Sequence, residues 1–409
     1  MSGFEPSGRA VAAILDDAVA GRRISAGDAH RLLLDGDLLD LGLAAQAVRE
    51  RMNDPAVATY AIDRNINYTN VCVYKCRFCA FYRPPGDPEG YLVPFEEIGR
   101  KIEETLALHG TGILLQGGVH PDLPLQYYLD LLGFIRERYP TIHRHAFSPP
   151  EVKFLAKKER LSFAEVIGRL KEAGLMSIPG GGAEILSDAI RKEVLAHPKA
   201  SADEWIEVMR QAHRLELRTT ATMMFGMGEE LAARVEHLQR IRDLQDETGG
   251  FTAFIPWTFQ REHTDLPDLP EVSAHEYLTL LAVARLFLDN VTHLQASWVT
   301  QGKKIGQLGL AFGADDLGSI MIEENVVAAA GARYQMSQEE MERLIHAAGY
   351  TPRQRTNLYE RFVTREETAL LLNIDSPKAS EVETLRLQAL QTREAAFNAR
   401  LLDALESVV

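Results

Sequence analysis

Cysteine is scarce in this sequence. The 409 residues contain only Cys72, Cys76 and Cys79, which share one eight-residue run. Three thiols cannot form a closed set of disulfides, and thiols this close together cannot join two distant elements. Structural zinc needs a fourth ligand, and the nearest histidine, His109, follows Cys79 by thirty residues. A disulfide scaffold is therefore excluded, and a zinc site is disfavoured.

Long apolar runs and clusters of basic residues are also missing. No stretch approaches the roughly 18 apolar residues of a transmembrane helix, and residues 1–7 lack the apolar segment of a signal peptide. Acidic residues outnumber basic ones by 58 to 44, which gives a net charge of −14. Binding to a nucleic-acid backbone needs clustered Lys and Arg. We therefore expect a cytoplasmic protein with no membrane insertion and no nucleic-acid partner.

The three cysteines follow the spacing C-x3-C-x2-C, with Phe78 directly before the last one. A 4Fe-4S cluster usually takes four thiolates. Three thiolates leave one iron open, and that iron can bind S-adenosyl-L-methionine (SAM) through its amino and carboxylate groups. The spacing therefore predicts a cluster held by Cys72, Cys76 and Cys79, and radical chemistry.

The pattern of apolar residues predicts an α/β fold. Residues 8–52 show helical spacing, and from Arg64 onward short strands alternate with helices, as in a parallel sheet. The predicted strands are 64–70, 112–116, 142–147, 175–178, 217–224, 252–257 and 291–296. The predicted helices are 94–109, 124–138, 151–173, 184–215, 229–247 and 272–289. Six or more such units indicate a TIM-like barrel, partial or closed, with its chemistry at the C-terminal ends of the strands.

The same pattern divides the chain into four parts. We expect an N-terminal helical layer (1–60), a barrel core (61–300), a C-terminal helical part of the catalytic domain (301–362) and a helical tail (363–409). Leucines at helical spacing in the tail suggest one amphipathic helix that covers the barrel or pairs with a second subunit. A solvated appendage is the simpler interpretation, and we favour it.

Polar or glycine-rich segments follow the predicted strands. Gly117 and Gly118 follow the second strand, Ser148 the third, and a triple glycine the fourth. Glu184 comes just after the triple glycine. Its carboxylate could stabilise the start of a helix, by roughly 0.3–1 kcal/mol, or accept hydrogen bonds from a ligand. We favour the ligand role because the other segments share its face of the barrel.

Several of these segments together resemble one family. The runs 65–72, 115–121, 145–151, 177–186 and 254–260 resemble the radical SAM cyclases of the futalosine route to menaquinone, and the resemblance extends over about residues 22–362. Aminofutalosine synthase is the alternative, because it shares Pro-Gly-Gly-Gly-Ala-Glu and the cysteine spacing. It usually differs at the segments that contain Ser148 and Trp257. Deazaflavin-forming radical SAM enzymes fit less well.

The resemblance implies a radical SAM barrel and a role for each matching residue. Cys72, Cys76 and Cys79 would bind the 4Fe-4S cluster. The residues that would surround SAM are Phe78, Gly117, Gly118 and Glu184. Ser148 would face the substrate. Binding of a substrate carboxylate and removal of the final proton have no assigned residue, and the candidates are His145, Arg191 and Gln260.

The implied reaction is the cyclisation of dehypoxanthine futalosine. An electron from a donor such as flavodoxin or ferredoxin would release a 5′-deoxyadenosyl radical from SAM. That radical would remove hydrogen from ribose C4′, and the carbon radical would close on the benzoate ring to give cyclic dehypoxanthinyl futalosine. Met227 departs from the family pattern, where a histidine is usual. It either packs in that place or marks a shifted specificity.

A non-enzymatic iron–sulfur redox sensor is the alternative from another class of protein. A sensor would need the cluster but no SAM. It would leave the glycine-rich segments and the open iron unexplained, and such proteins usually carry a basic recognition surface that this acidic chain lacks.

Overall fold

The computed structural model describes residues 4–194, 199–332 and 334–363. The expected tail helix falls in residues 364–409 and lies outside the described residues. The helices are α1 (Val11–Val19), α2 (Ala26–Asp35), α3 (Leu38–Met52), α4 (Phe95–Ala107), α5 (Leu125–Arg138), α6 (Pro149–Glu159), α7 (Phe163–Ala173), α8 (Asp188–Val194), α9 (Ala202–Arg214), α10 (Leu231–Thr248), α11 (Ala274–Phe287), α12 (Trp298–Gly309), α13 (Val326–Ala329) and α14 (Gln338–Ala347). The strands are β1 (Val57–Ala61), β2 (Asp63–Asn67), β3 (Gly112–Gln116), β4 (His143–Ala146), β5 (Ser177–Ile178), β6 (Arg218–Phe225), β7 (Phe251–Thr258), β8 (His293–Leu294), β9 (Asp316–Ser319) and β10 (Thr351–Gln354).

Seven parallel strands form the central sheet in the order β2-β3-β4-β5-β6-β7-β8. Strands that follow one another along the chain are therefore neighbours in space, and helices make the crossovers between them. The registers place Ile66 beside Leu115 and Thr222 beside Ile255. The predicted radical SAM type of α/β barrel is confirmed.

A second, three-stranded sheet connects the two edges of the central one. Its order is β10-β1-β9, and all pairs are parallel. On one side, the amide of Asp315 donates to the Leu294 carbonyl at 3.1 Å, and the amide of Ala296 donates to the Asp316 carbonyl at 2.9 Å. On the other side, the amide of Ile322 donates to the Asp63 carbonyl at 3.3 Å. The β9 segment thus bridges β8 to the start of β2.

These three strands correct the sequence-based expectation. Residues 1–60 and 301–362 were expected to be helical, yet they contain most of β1 and all of β9 and β10. The sequences Asp-Leu-Gly-Ser (316–319) and Thr-Pro-Arg-Gln (351–354) have little intrinsic strand preference. They become strands because β1 pairs with both of them across about 260 to 290 residues of chain.

Two predicted helices are each divided in two. The prediction 151–173 is interrupted at Arg160, whose φ of 56° ends α6, and Ser162 then caps α7 through the amide of Glu165. The prediction 184–215 is likewise replaced by α8 and α9, and Ser201 caps the second of these. Helix periodicity continued across both breaks, so the spacing of apolar residues did not reveal them.

The predicted N-terminal helical layer is present as α1–α3, which pack beside α10 and α11. Arg49 of α3 is fully buried and donates to the carbonyls of Ala314 and Val57, at 3.1 and 2.5 Å. These bonds fix the layer to the β1–β9 sheet. Within residues 4–194, 199–332 and 334–363, no helix is long and apolar enough to cross a membrane.

Candidate active site

A cavity of about 290 Å³ lies inside the barrel. Its lining includes Gln116, Gly181 and Trp257 near the C-terminal ends of their strands, and Asp63 and Arg355 at the opposite end. A larger groove of about 540 Å³ lies on the outer surface, along α9 and α10. Its charged side chains are largely paired with one another and far from the strand ends. We therefore place the chemistry in the interior cavity.

The cysteine loop follows β2 and is held to its neighbours by backbone hydrogen bonds. The amide of Cys72 donates to the Arg83 carbonyl, and the amide of Val73 donates to the Val119 carbonyl, both at 2.9 Å. All three thiols are free. Burial raises the pKa of Cys72, and it raises the pKa of Cys79 to about 11. Deprotonating such thiols needs a strong cation, and bound iron meets that need.

Gly117 and Gly118 bring the end of β3 against the cysteine loop. A Cβ atom at Gly118 would lie 2.3 Å from the Val71 carbonyl oxygen, and one at Gly117 would lie 2.7 Å from the Tyr68 ring. The amide of Gly118 donates to the Thr69 carbonyl at 2.8 Å. Glycine is required here by the close approach of the two segments, and that approach fixes the cysteine loop beside the cavity.

Glu151 organises this region, although the sequence analysis did not assign it a role. Its buried carboxylate accepts hydrogen bonds from the Tyr68 hydroxyl at 2.5 Å and from the Gly117 amide at 3.3 Å. It also accepts from the Ser148 amide at 2.6 Å and the Ser148 hydroxyl at 2.5 Å. Burial raises the pKa of Glu151. The Ser-Pro-Pro-Glu spacing, that of a capping box, was the available signal.

Ser148 does not have the position expected for a substrate contact. Its hydroxyl donates to Glu151, its residue precedes the first turn of α6, and it is absent from the cavity lining. The structure therefore gives Ser148 a role in starting the helix, and its predicted contact with the substrate stays a prediction. A serine at an N-cap serves this purpose wherever a helix begins.

Glu184 and Phe78 lie together beside the cysteine loop, as predicted, and Lys199 joins them. The Lys199 ammonium donates to Glu184 Oε1 at 2.8 Å and lies 5.0 Å from the centre of the Phe78 ring. Burial acts to lower the pKa of Lys199, but Cys76 and Glu184 outweigh it and the pKa is raised. Glu184 Oε2 is buried and has no hydrogen-bond partner among the described atoms, although the Arg191 guanidinium lies 3.5 Å away as an ion pair. A carboxylate oxygen without a hydrogen bond, beside an aromatic ring, fits a ligand with hydroxyl or ammonium donors, as SAM has.

Arg191 is surrounded by backbone carbonyls and by Glu184. Its buried guanidinium donates to the carbonyls of Ala183 and Ala200, each at 2.5 Å, and to those of Gly182 and Ile185 at 3.3 Å, and one terminal nitrogen lies 3.5 Å from Glu184 Oε2. These contacts hold the turn that carries Glu184 against the start of α9. They give Arg191 a structural role, and its candidate role toward a substrate carboxylate stays a prediction.

His145 and Gln260 lie in different places. His145 lines the cavity, and burial lowers its pKa to about 3, so the ring is neutral at pH 7. Gln260 lines a small pocket of about 40 Å³ together with Phe78 and Cys79. Met227, which stands where the family usually has a histidine, is buried in the core. Its burial supports the interpretation that it packs in that place.

Arg355 was missed by the sequence analysis. Among the described residues that line the cavity it is the only Arg or Lys. Its Nε and one terminal nitrogen donate to Asp316 at 2.5 and 2.9 Å, whereas the other terminal nitrogen donates only to the Thr356 carbonyl, at 3.3 Å. One donor group is thus left for an anion. Arg355 follows β10, a strand with no local signal.

Two carboxyl groups also line the cavity, Asp63 and Glu324, and burial raises the pKa of both. Glu324 accepts from the Asn65 amide group at 2.9 Å and from the amides of Val326 and Val327 at 2.8 Å. Asn65 Oδ1 is buried without a hydrogen-bond partner. The cavity therefore offers polar groups as well as aromatic walls.

Comparison with known proteins agrees with this site. Residues 66–241 match the radical SAM superfamily, and residues 248–368 match the CofH/MqnC C-terminal region. The cyclic dehypoxanthine futalosine synthases of Halalkalibacterium halodurans and Streptomyces coelicolor are 46% and 47% identical, over 87% of this chain and 95% and 90% of their own lengths. A 5-amino-6-(D-ribitylamino)uracil–L-tyrosine 4-hydroxyphenyl transferase of Methanopyrus kandleri is 43% identical, over 74% of this chain and 84% of its own.

A solved structure shares the fold at low identity. Methylornithine synthase superposes with a TM-score of 0.64 at 17% identity and covers 88% of this chain and 100% of its own. Radical SAM enzymes use a 4Fe-4S cluster and SAM, and the free thiols and the Glu184 oxygen that accepts no hydrogen bond fit both. The chain is therefore a radical SAM enzyme and belongs to the family that contains the cyclic dehypoxanthine futalosine synthases.

Proposed function

We propose that this enzyme cyclises dehypoxanthine futalosine to cyclic dehypoxanthinyl futalosine in menaquinone biosynthesis. The main support is the 46–47% identity to synthases of that name over 87% of the chain. The interior cavity supplies the second support, because it combines aromatic walls, hydrogen-bonding groups and one cation. A substrate with a ribose and a benzoate needs all three.

The residues around the cysteine loop hold the cofactors in this proposal. Cys72, Cys76 and Cys79 bind the 4Fe-4S cluster, and SAM lies against Phe78 and Glu184. When bound, the cluster with SAM supplies the 5′-deoxyadenosyl radical that removes hydrogen from ribose C4′, and it takes back one electron when the ring regains aromaticity. Gly117 and Gly118 keep the loop and the end of β3 in contact.

The chain's contribution to the reaction is positioning and exclusion of water. The terminal nitrogen of Arg355 that donates only to the Thr356 carbonyl would donate to the benzoate carboxylate. Trp257 and Trp298 line the part of the cavity that would hold the benzoate ring. Asp316 already neutralises the charge of Arg355. The guanidinium therefore orients the bound carboxylate through hydrogen bonds and adds little net electrostatic attraction. The ribose then lies toward the cysteine loop, where Trp257 lines both the cavity and the pocket beside Cys79.

We also propose that the enzyme works in the cytoplasm, where the thiols stay reduced. A flavodoxin or ferredoxin supplies its electron. No nucleic-acid partner is part of the proposal, since the net charge is −14.

A second candidate comes from the M. kandleri relative at 43% identity, which is named as a tyrosine 4-hydroxyphenyl transferase. Its match covers a smaller share of the chain, 74% against 87%. Aminofutalosine synthase stays a further alternative on the sequence pattern alone. The three reactions use different substrates, so one experiment separates them.

The experiment is product analysis by mass spectrometry with reconstituted enzyme, SAM and a reductant. Parallel reactions contain dehypoxanthine futalosine, the precursor of aminodeoxyfutalosine, or tyrosine with 5-amino-6-(D-ribitylamino)uracil. The proposal expects a cyclic product from the first substrate alone. An adenosyl adduct in the second reaction, or a hydroxyphenyl product in the third, would replace it with that activity.

A further inference from the structure

Two histidines of β4 and one serine of β5 form a continuous hydrogen-bonded chain inside the barrel. His145 Nδ1 lies 2.6 Å from Ser177 Oγ, and the same oxygen lies 2.7 Å from His143 Nε2. Ser177 is fully buried, while both imidazoles are partly exposed. His145 lines the cavity, and its Nε2 has one long contact there, 3.4 Å to Thr220 Oγ1.

The strand register produces this arrangement. Side chains two positions apart share a face of a strand, so His143 and His145 point the same way. Ser177 pairs directly with His145 across the β4–β5 ladder. The serine hydroxyl therefore lies between the two rings.

The hydrogen count along this chain permits proton transfer. A serine hydroxyl has one hydrogen, so it can donate to one ring only, and the other ring must donate to it. When Ser177 donates to His143 Nε2, His145 donates from Nδ1 and leaves Nε2 unprotonated toward the cavity. A proton accepted at that Nε2 can then displace the Nδ1 proton to Ser177, and Ser177 can pass its own to His143.

The charge state of the rings agrees with such a role. Burial is the main cause that lowers the pKa of His145 to about 3 and that of His143 to about 4. Arg144 lowers the pKa of His143 further, and His143 and Arg355 do so for His145. Both rings are therefore neutral at pH 7, and each has one unprotonated ring nitrogen that can accept a proton.

We propose that His145, Ser177 and His143 form a relay that carries away the proton released when the cyclised ring regains aromaticity. The inference rests on the proposed function. Closure of the C4′ radical on the benzoate leaves a cyclohexadienyl radical with one C–H bond at the new junction. That bond breaks and its proton goes to His145 Nε2, while at the other end a proton leaves His143, whose ring is partly exposed, to water. The one-electron oxidation would be supplied by the iron–sulfur cluster that Cys72, Cys76 and Cys79 would hold.

The two carboxyl groups of the cavity are less suited to this step. Glu324 already accepts three hydrogen bonds, from Asn65 and two backbone amides. Asp63 has a raised pKa and is hydrogen-bonded to Ser319. Within the described residues, neither carboxyl group has a hydrogen-bonded route to a second proton acceptor, whereas Ser177 connects His145 to His143.

The test compares Ser177→Ala and His143→Gln with the unchanged, cluster-loaded enzyme. Substrate deuterated at C4′ reports hydrogen removal through deuterium in 5′-deoxyadenosine, and cyclic product reports the last step. His213→Gln is the matched control, because His213 is also half-buried and lies between two hydroxyls, those of Thr248 and Thr219, but does not line the cavity. Iron content and the thermal midpoint check that each variant is folded.

We expect both relay variants to keep deuterium transfer. The amount of cyclic product per 5′-deoxyadenosine should fall by roughly tenfold or more, which is less than the roughly 10²- to 10⁴-fold that general acid–base catalysis usually contributes. The control should keep the wild-type ratio.

An unchanged ratio in Ser177→Ala and His143→Gln would overturn the relay while the proposed function stands. Equal loss of both readouts would also overturn it, because the residues would then serve binding or folding. Absence of deuterium transfer in the wild-type enzyme would instead contradict the proposed function.

Discussion

Burial opposes the ionisation of two cysteine thiols, because it raises the pKa of Cys72 and raises that of Cys79 to about 11. These thiols are protonated at neutral pH until iron displaces the protons. Cluster assembly should therefore release protons. The Lys199 ammonium favours the thiolates but carries only one charge.

The first prediction concerns the cluster. Anaerobic reconstitution should give about four irons per chain, and Cys76→Ala should lose both the cluster and SAM cleavage. The measurement is iron and sulfide analysis with the visible absorption spectrum. A stable cluster and SAM cleavage in Cys76→Ala would contradict the assignment of the three ligands.

Glu184→Gln should weaken SAM binding. The change removes the negative charge that faces Lys199 and Arg191, and it removes Oε2, a carboxylate oxygen that accepts no hydrogen bond within the described residues. Hydrogen bonds to charged groups contribute about 1.5–3 kcal/mol, so the affinity should fall by about tenfold to a hundredfold. Equilibrium binding of SAM to the reconstituted enzyme measures the change.

Glu193→Gln is the matched control, because Glu193 is an exposed carboxylate on α8. It should bind SAM as the wild type does. Equal affinity in both variants and the wild type would leave Glu184 with a structural role only.

Arg355→Lys should impair substrate binding more than turnover. Lysine keeps the positive charge near Asp316 but loses the planar guanidinium, which can hold Asp316 and a second carboxylate together. The KM for dehypoxanthine futalosine should rise by about tenfold, with a smaller change in kcat. An analogue with benzamide in place of benzoate should show little difference between the two enzymes. A similar KM increase for both substrates would argue against a carboxylate contact.

The secondary structure shows which elements can be predicted from sequence. β2–β4, β6 and β7 were found close to their true bounds, because alternating strand and helix patterns are local. The polar segments that follow these strands, among them the cysteine loop, were placed correctly for the same reason. β1, β9 and β10 were missed because they form only through pairing between distant parts of the chain.

The missed strands explain the missed residues. Arg355 and Glu324 line the cavity only because the segments after β10 and β9 fold back under the barrel. Lys199 comes after α8 in the chain and donates to Glu184, fifteen residues earlier. No motif spacing records these contacts. The contacts of Arg191 with backbone carbonyls and with Glu184 could not be read from its spacing either.

Four histidines with lowered pKa values should make stability depend on pH. Burial lowers the pKa of His143 and His213 to about 4, and that of His145 and His237 to about 3. Below about pH 6.5 the unfolded chain binds protons that the folded chain does not. Stability is therefore full above that pH and falls as the pH drops toward 4, by up to about 1.4 kcal/mol per pH unit for each histidine.

The measurement is the thermal midpoint of the holoenzyme at pH 7 and pH 5.5, compared between the wild type and His213→Gln. The variant should lose less stability than the wild type over this interval. Raised carboxyl pKa values, as at Glu151, act in the opposite direction but are common to both proteins. An identical pH dependence in the two proteins would contradict the neutral, buried state of His213.

The fold as a whole brings the polar segments of several strands to one mouth and closes the barrel behind them. β9 bridges the sheet edges, and the residues that follow β9 and β10 form the far wall of the cavity. The sequence predicted the barrel and the mouth correctly. It could not predict the far wall, whose contacts join residues about 300 positions apart in the chain. Substrate selection, in this account, depends on that wall.

The most direct test of the account follows a deuterium atom. With dehypoxanthine futalosine deuterated at ribose C4′, the account predicts one deuterium in each 5′-deoxyadenosine formed, together with the cyclic product, as measured by mass spectrometry. If the deuterium stays in the substrate skeleton and an adenosyl adduct forms, the cyclase account is contradicted.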